Sequence, residues 1–238
     1  PPGSTFKVVV ASAALASGRF TADSLLPGPK TYQLPNSSKK LRNWTGRECG
    51  PEGKVTLRQA LAISCNTAFA WLGNELGAAA IRDQAEAFGF NSGFNIPLRA
   101  ATSLFPQDPD APQTALSAIG QFEVRATALQ MAMVAASIGN SGRTMNPYLV
   151  QEIRGPDLSI LQTTEPTQFE DALKPSNSLS LTEMLVNVVE NGTGSNAQIA
   201  GVRVAGKTGT AQTGNDSPSV AWFISFAPAA APKVAVAV

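Results

Sequence analysis

Apolar positions recur with helical spacing at several places along the chain. In residues 5–17, Phe6, Val9, Val10, Ala13 and Ala14 fall on one face, and Gly18 stands where a left-handed stop is expected. Three consecutive valines, Val8, Val9 and Val10, favour a strand by propensity, so the helix there depends on periodicity over residue preference. Thr56 with Gln59 forms a capping box ahead of a helix over 57–63; further helices are expected over 67–76, before Gly77, and over 78–88, before Gly89. Ser64, Cys65 and Asn66 fall at the joint between the first two. Thr127 with Gln130 repeats the capping pattern ahead of 129–138, with Gly139 as the stop. Ser180 with Glu183 does so for 179–190, with Asn191 and Gly192 beyond. A hairpin is expected with arms 148–154 and 158–163, turned at Gly155, Pro156 and Asp157. Runs at 202–207, 220–227 and 233–238 read as strands joined by short turns, hence antiparallel.

Residues 26–55 and 91–113 have no period and are rich in Pro, Gly and polar side chains, so both read as long connections bordering a groove. Helices in the middle and strands at the end give an α+β class: an antiparallel β-sheet flanked by helices, with a mainly helical insertion at roughly residues 20–140.

Composition sharpens this picture mainly through what is missing. The 238 residues are 43% hydrophobic and 15% charged, enough apolar material for a packed core and too much for disorder. A formal charge of +1 is too little to hold a phosphate backbone, which argues against nucleic acid as a partner. There is no histidine, which removes Ser/His/Asp triads, Cys/His dyads and His-ligated zinc together. A nucleophile here must be activated by Lys, a carboxylate or Tyr. Two cysteines cannot build a thiolate zinc site or an iron–sulfur cluster, so no metal or cofactor is expected, and the thiols are either one pair or unrelated. The chain opens on Pro1 and Pro2 without Met and has no apolar run near the roughly 18 residues that cross a bilayer, so it reads as an excerpt of a longer protein.

Ser4 and Lys7 lie three residues apart at the start of the first helix, a spacing that stacks their side chains one turn apart and lets an amine take a proton from a hydroxyl. The positive end of the helix dipole would favour alkoxide character at Ser4. The spacing alone says little, since residue frequencies produce it about once in a chain of this size. Ser37 and Lys40 share it, within the unpatterned loop, and read as solvated surface. Two other triplets are unique in the chain: Ser64-Cys65-Asn66 and Lys207-Thr208-Gly209. Each by itself has an ordinary explanation, an interhelical joint and a turn after a strand. Their order and neighbourhood give them more weight than their composition.

With these three segments in order, the chain resembles the transpeptidase domain of class B penicillin-binding proteins, serine acyltransferases marked by S-x-x-K, S-x-N and K-T-G. Pro2-Gly3-Ser4-Thr5-Phe6-Lys7, Gly120-Gln121 with Leu129-Gln130-Met131-Ala132, and Gly192-Thr193-Gly194 ahead of Ala205-Gly206-Lys207-Thr208-Gly209-Thr210-Ala211 carry the resemblance over nearly the whole length. Within that family the chain resembles the actinobacterial penicillin-binding protein A type. Cys65 departs from the usual Asp or Ser, at a position whose side chain does no chemistry.

The resemblance implies a D,D-transpeptidase in which Ser4 is acylated by a D-Ala–D-Ala stem peptide and an amine of a second stem resolves the acyl-enzyme. Lys7 would be the base, requiring its pKa to fall from roughly 10.4 to near neutrality, worth about 4 kcal/mol. Ser64 would relay the proton, Asn66 would hold Lys7 and the substrate amide, and Lys207 would be the second cation. Thr208, Gly209 and Thr210 would form the strand that binds the substrate, with the two threonine hydroxyls on its carboxylate. The backbone N–H groups of Ser4 and Thr210 would make the oxyanion hole. Implied partners are peptidoglycan stem peptides, lipid-linked or in nascent glycan, β-lactam antibiotics that acylate Ser4, and division or elongation proteins. The implied place is the extracytoplasmic face of the bacterial membrane, held by an N-terminal anchor outside the excerpt. In that oxidising setting Cys49 and Cys65 form either a disulfide tying the 26–55 loop to the Ser64 joint, worth about 3 kcal/mol, or two buried thiols. A D,D-carboxypeptidase, a β-lactamase or a β-lactam sensor would carry the same motifs; no Glu-x-x-Leu-Asn segment for a deacylating water is present.

Overall fold

The computed structural model describes residues 1–211 and 218–238. The chain opens with a 3-10 turn, Gly3–Phe6, that runs into helix α1, Lys7–Ala16. Residues 5 and 6 thus belong to the tighter turn, and Ser4 sits ahead of the α-helical dipole instead of inside it. Lys7 through Leu15 are all buried, so α1 is a core helix without a solvated face. That burial overrides the strand preference of the three valines. Gly18, at φ +68°, ends the turn as expected.

The 26–55 segment is more ordered than its composition suggests. Strand β1, Leu25–Pro27, pairs with β4, Lys54–Thr56, while β2, Thr31–Gln33, pairs with β3, Lys40–Arg42. Three-residue strands are too short to show a period of two. Helix α2, Leu57–Ala62, has the predicted cap, the Thr56 hydroxyl accepting the Gln59 N–H at 3.2 Å. Helices α3, Asn66–Leu76, and α4, Ala78–Ala87, follow as expected. The 91–113 segment, read as irregular, ends in an extra helix, α5, Ala111–Ser117. Asp110 and Gln113 form a reciprocal capping box there, and Pro112 is tolerated in the first turn, where no intrahelical N–H is lost.

Helix α6, Ala128–Gly139, is capped by Thr127, but Gly139 is its last residue and not a stop; the left-handed residues are Ser141 and Gly142. Bare Gly139 admits Phe226 and Pro232, whose atoms would lie 3.2 Å from a Cβ there. Strands β5, Arg143–Met145, and β8, Gln168–Asp171, pair without having been foreseen, while β6, Glu152–Arg154, and β7, Ile160–Thr163, make the expected hairpin. Helix α7, Pro175–Asn191, starts before the predicted cap, which leaves Ser180 and Glu183 mid-helix; the Glu183 carboxylate instead accepts from Arg203 at 2.9 Å.

The C-terminal sheet is antiparallel in the order β11-β10-β9, with β9 Ala205–Ala211, β10 Val220–Ala227 and β11 Val234–Ala237. Lys207-Thr208-Gly209 lies inside β9, not at its end. Helices α6 and α7 pack on this sheet, α1 packs against α2, α3, α4 and α7, and the 3-10 turn lies against β9. The result is a mixed α+β fold in which the first motif abuts the third.

Candidate active site

The contact between the Ser4 turn and β9 is as tight as backbone allows. A Cβ on Gly3 would lie 2.6 Å from the Thr210 carbonyl oxygen, and one on Gly209 would lie 2.9 Å from the Pro2 carbonyl oxygen. On the other side the Gly3 N–H donates to the Gly120 carbonyl at 3.0 Å, and a Cβ on Gly120, whose φ is +72°, would fall 2.0 Å from the Gly3 carbonyl oxygen. Glycine is required at all three places because backbone occupies the room a side chain would need. Ser4 is thereby clamped between the 120 turn and the 209–210 stretch of β9.

Lys7 is fully buried, and its Nζ lies 2.8 Å from the Ser64 carbonyl oxygen, 3.2 Å from the Ser64 hydroxyl and 2.7 Å from Asn66 Oδ1. Lys7 Nζ donates to all three oxygens; as a neutral amine it would keep a lone pair able to accept the Ser64 proton instead. Burial pushes the Lys7 pKa well below its ordinary value, and the charge of Lys207 pushes it the same way. The direct Ser4–Lys7 hydrogen bond expected from the spacing is not made; among the described residues Lys7 engages Ser64 and Asn66 instead. Ser64 takes φ +60°, a left-handed turn uncommon for a non-glycine residue, which presents both its hydroxyl and its carbonyl to Lys7.

Lys207 is also fully buried. Its Nζ donates to the Thr208 carbonyl at 3.0 Å, and burial brings its pKa down to about 7. Thr208 and Thr210 line the same groove as Ser4, Ser64 and Asn66, a space of about 930 Å³. Its wall also carries Lys40 and Arg42 from β3, together with Trp44 and Phe122; among the described residues no carboxylate lines it. Lys40, read from the sequence as plain solvated surface, is exposed but faces this groove.

The 26–55 loop grips the S-x-N joint by several contacts. Cys49 and Cys65 are joined as a disulfide with a Cα separation of 6.0 Å. Asn43 Oδ1 accepts the N–H groups of Asn66 and Thr67, both at 3.0 Å, capping α3 from a remote position, while its Nδ2 donates to the Pro29 and Arg47 carbonyls. Asn66 Nδ2 donates to the Arg42 carbonyl at 3.1 Å and Trp44 Nε1 to the Ile63 carbonyl at 3.3 Å. Asn43 escaped the sequence reading because nothing in an aperiodic loop marks which residue will cap a distant helix.

The sequence profile described as the penicillin binding protein transpeptidase domain matches residues 1–238. The chain is 46% identical over 242 residues to the peptidoglycan D,D-transpeptidase PbpA of Mycobacterium tuberculosis, an alignment covering 100% of this chain and 49% of that protein. It is likewise 46% identical to PbpA of Mycolicibacterium smegmatis, with the same coverage. Among solved structures, an imipenem acyl-enzyme complex of penicillin-binding protein A from M. tuberculosis superposes with a TM-score of 0.95 at 46% identity, over 100% of this chain and 54% of that one. A D,D-transpeptidase domain from Eggerthella lenta superposes at 0.89 with 36% identity, over 99% and 59%. The chain therefore spans about half the length of the curated relatives it matches.

Proposed function

Because this chain belongs to the penicillin-binding protein transpeptidase family, we propose that it is the catalytic domain of a peptidoglycan D,D-transpeptidase, with residues 20–140 as its helical insertion. The observation that carries the reading is the Lys7 amine, buried, held by Ser64 and Asn66, and close enough to Lys207 to feel its charge. Neutral Lys7 has a lone pair, so it can take up the Ser4 proton, directly once substrate is seated or through the Ser64 hydroxyl beside it.

The Ser4 oxygen then bonds to the carbonyl carbon of the penultimate D-Ala, and the negative charge that develops on the carbonyl oxygen faces the Ser4 and Thr210 N–H groups. The proton passes by way of Ser64 to the departing D-Ala amine as its bond to carbon breaks. An amine from a second stem peptide attacks the resulting ester, gives up its proton to the same relay and releases Ser4. Thr208 and Thr210 hold the substrate's terminal carboxylate, with Lys207 beneath and two further cations in the groove wall. A β-lactam follows the first half of this course and stays as an ester. The lack of a carboxylate lining the groove, among the described residues, leaves no evident base for a deacylating water and favours the transpeptidase over a β-lactamase. The partners are stem peptides and β-lactams, the division or elongation machinery, and the place is the outer face of the cytoplasmic membrane.

Intact-protein mass spectrometry after exposure to penicillin tests this: a lasting adduct of one penicillin on the wild type and none on Ser4→Ala. An adduct that persists in Ser4→Ala would overturn the site.

A further inference from the structure

Thr193 belongs to none of the three motifs, yet its side chain ends on one of them. Beyond α7, the Gly192 and Gly194 N–H groups both donate to the Val188 carbonyl, at 3.1 and 2.9 Å, folding the turn back onto the helix. The Thr193 N–H donates to the carbonyl of Ala62 at 3.0 Å, the last residue of α2 and two before Ser64. A Cβ on Gly192 would lie 2.3 Å from that same oxygen, so the approach depends on glycine there. From this pinned backbone the Thr193 hydroxyl reaches the Thr208 hydroxyl at 2.6 Å, and both residues line the catalytic groove.

A threonine hydroxyl has one proton and two lone pairs. Two hydroxyls in contact share one hydrogen bond, and whichever accepts keeps its own proton for a third group. If Thr208 gives its proton to a carboxylate, it must accept from Thr193. We propose that Thr193 is a positioning residue: its hydroxyl donates to Thr208 and so aims the Thr208 proton at the terminal carboxylate of the donor substrate. This rests on the acyl-transfer reading above. Since the Thr193 backbone hangs on the residue that leads into the S-x-N joint, the same side chain also keeps the substrate-binding strand in register with the Lys7–Ser64 pair.

The test compares two thioester donors, alike except that one ends in a free carboxylate and the other in a carboxamide, on the wild type, Thr193→Val and Thr193→Ser. The measured quantity is the ratio of kcat/KM for the two donors. Thr193→Val should lower that ratio about tenfold, mainly through KM for the carboxylate donor, the size of effect one oriented hydrogen bond to a charged group supports. Thr193→Ser, which keeps the hydroxyl, should restore most of it. A ratio unchanged in Thr193→Val, equal losses on both donors, or no recovery in Thr193→Ser overturns the proposal. If Thr193→Val does not fold, Thr193→Ala is read by the same ratio. A wild type that neither binds penicillin at Ser4 nor turns over either donor defeats the acyl-transfer reading itself, a result distinguishable from failure of the Thr193 role alone.

Discussion

At the scale of single residues, the site is governed by two lysines kept from water. Lys207 has a folded pKa of about 7, against roughly 10.4 for a lysine in water. Between these values the unfolded chain binds the extra proton and the folded protein does not, so stability should rise as pH increases from about 7 towards 10. Lys7 is displaced in the same direction and adds to the same trend. Urea denaturation at pH 7 and pH 9 should give the higher midpoint at pH 9, and Lys207→Met should shrink that difference. Asn43 offers a second residue-level check. Its carboxamide closes two N–H groups of α3 and two loop carbonyls, so Asn43→Ala should cost about 1–2 kcal/mol of stability and slow penicillin acylation, by loosening the joint that holds Asn66 against Lys7. A variant with unchanged melting and unchanged acylation would contradict this.

Between elements, the decisive contacts are backbone on backbone. The Ser4 turn, the 120 turn and β9 approach so closely that a methyl group at Gly120 would collide with the Gly3 carbonyl. Gly120→Ala should therefore lower the penicillin acylation rate by about a hundredfold and stability by about 2–3 kcal/mol, from the displaced turn together with the positive φ. Acylation kinetics and thermal melting read the two effects separately. The disulfide acts at the same scale, closing the loop that carries Asn43 onto α3. Reducing it should cost about 3 kcal/mol in the chain-entropy account, seen as a lower denaturation midpoint in dithiothreitol.

For the molecule as a whole, charge is nearly balanced at +1, yet the groove beside Ser4 carries Lys40 and Arg42 with no carboxylate in its wall among the described residues. Anionic β-lactams should be drawn in by this local field, so the second-order acylation constant should fall severalfold between about 0.05 and 0.5 M salt, and more weakly in a Lys40→Gln, Arg42→Gln variant. The pattern of apolar residues determined the helices that span two or more turns, the hairpin and the closing antiparallel strands, because burial repeats with the period of the element that buries it. Absence of histidine left Lys, a carboxylate or Tyr to activate a nucleophile, and the family resemblance carried by three short segments pointed to a lysine-assisted serine. The short strands of the 26–55 loop, the extent of β9, the capping of α3 by Asn43, the Ser64–Lys7 contact in place of Ser4–Lys7, and the Thr193–Thr208 pair were decided only by tertiary structure. Each joins groups far apart in the chain, and no local period records which distant carbonyl or hydroxyl a residue will meet.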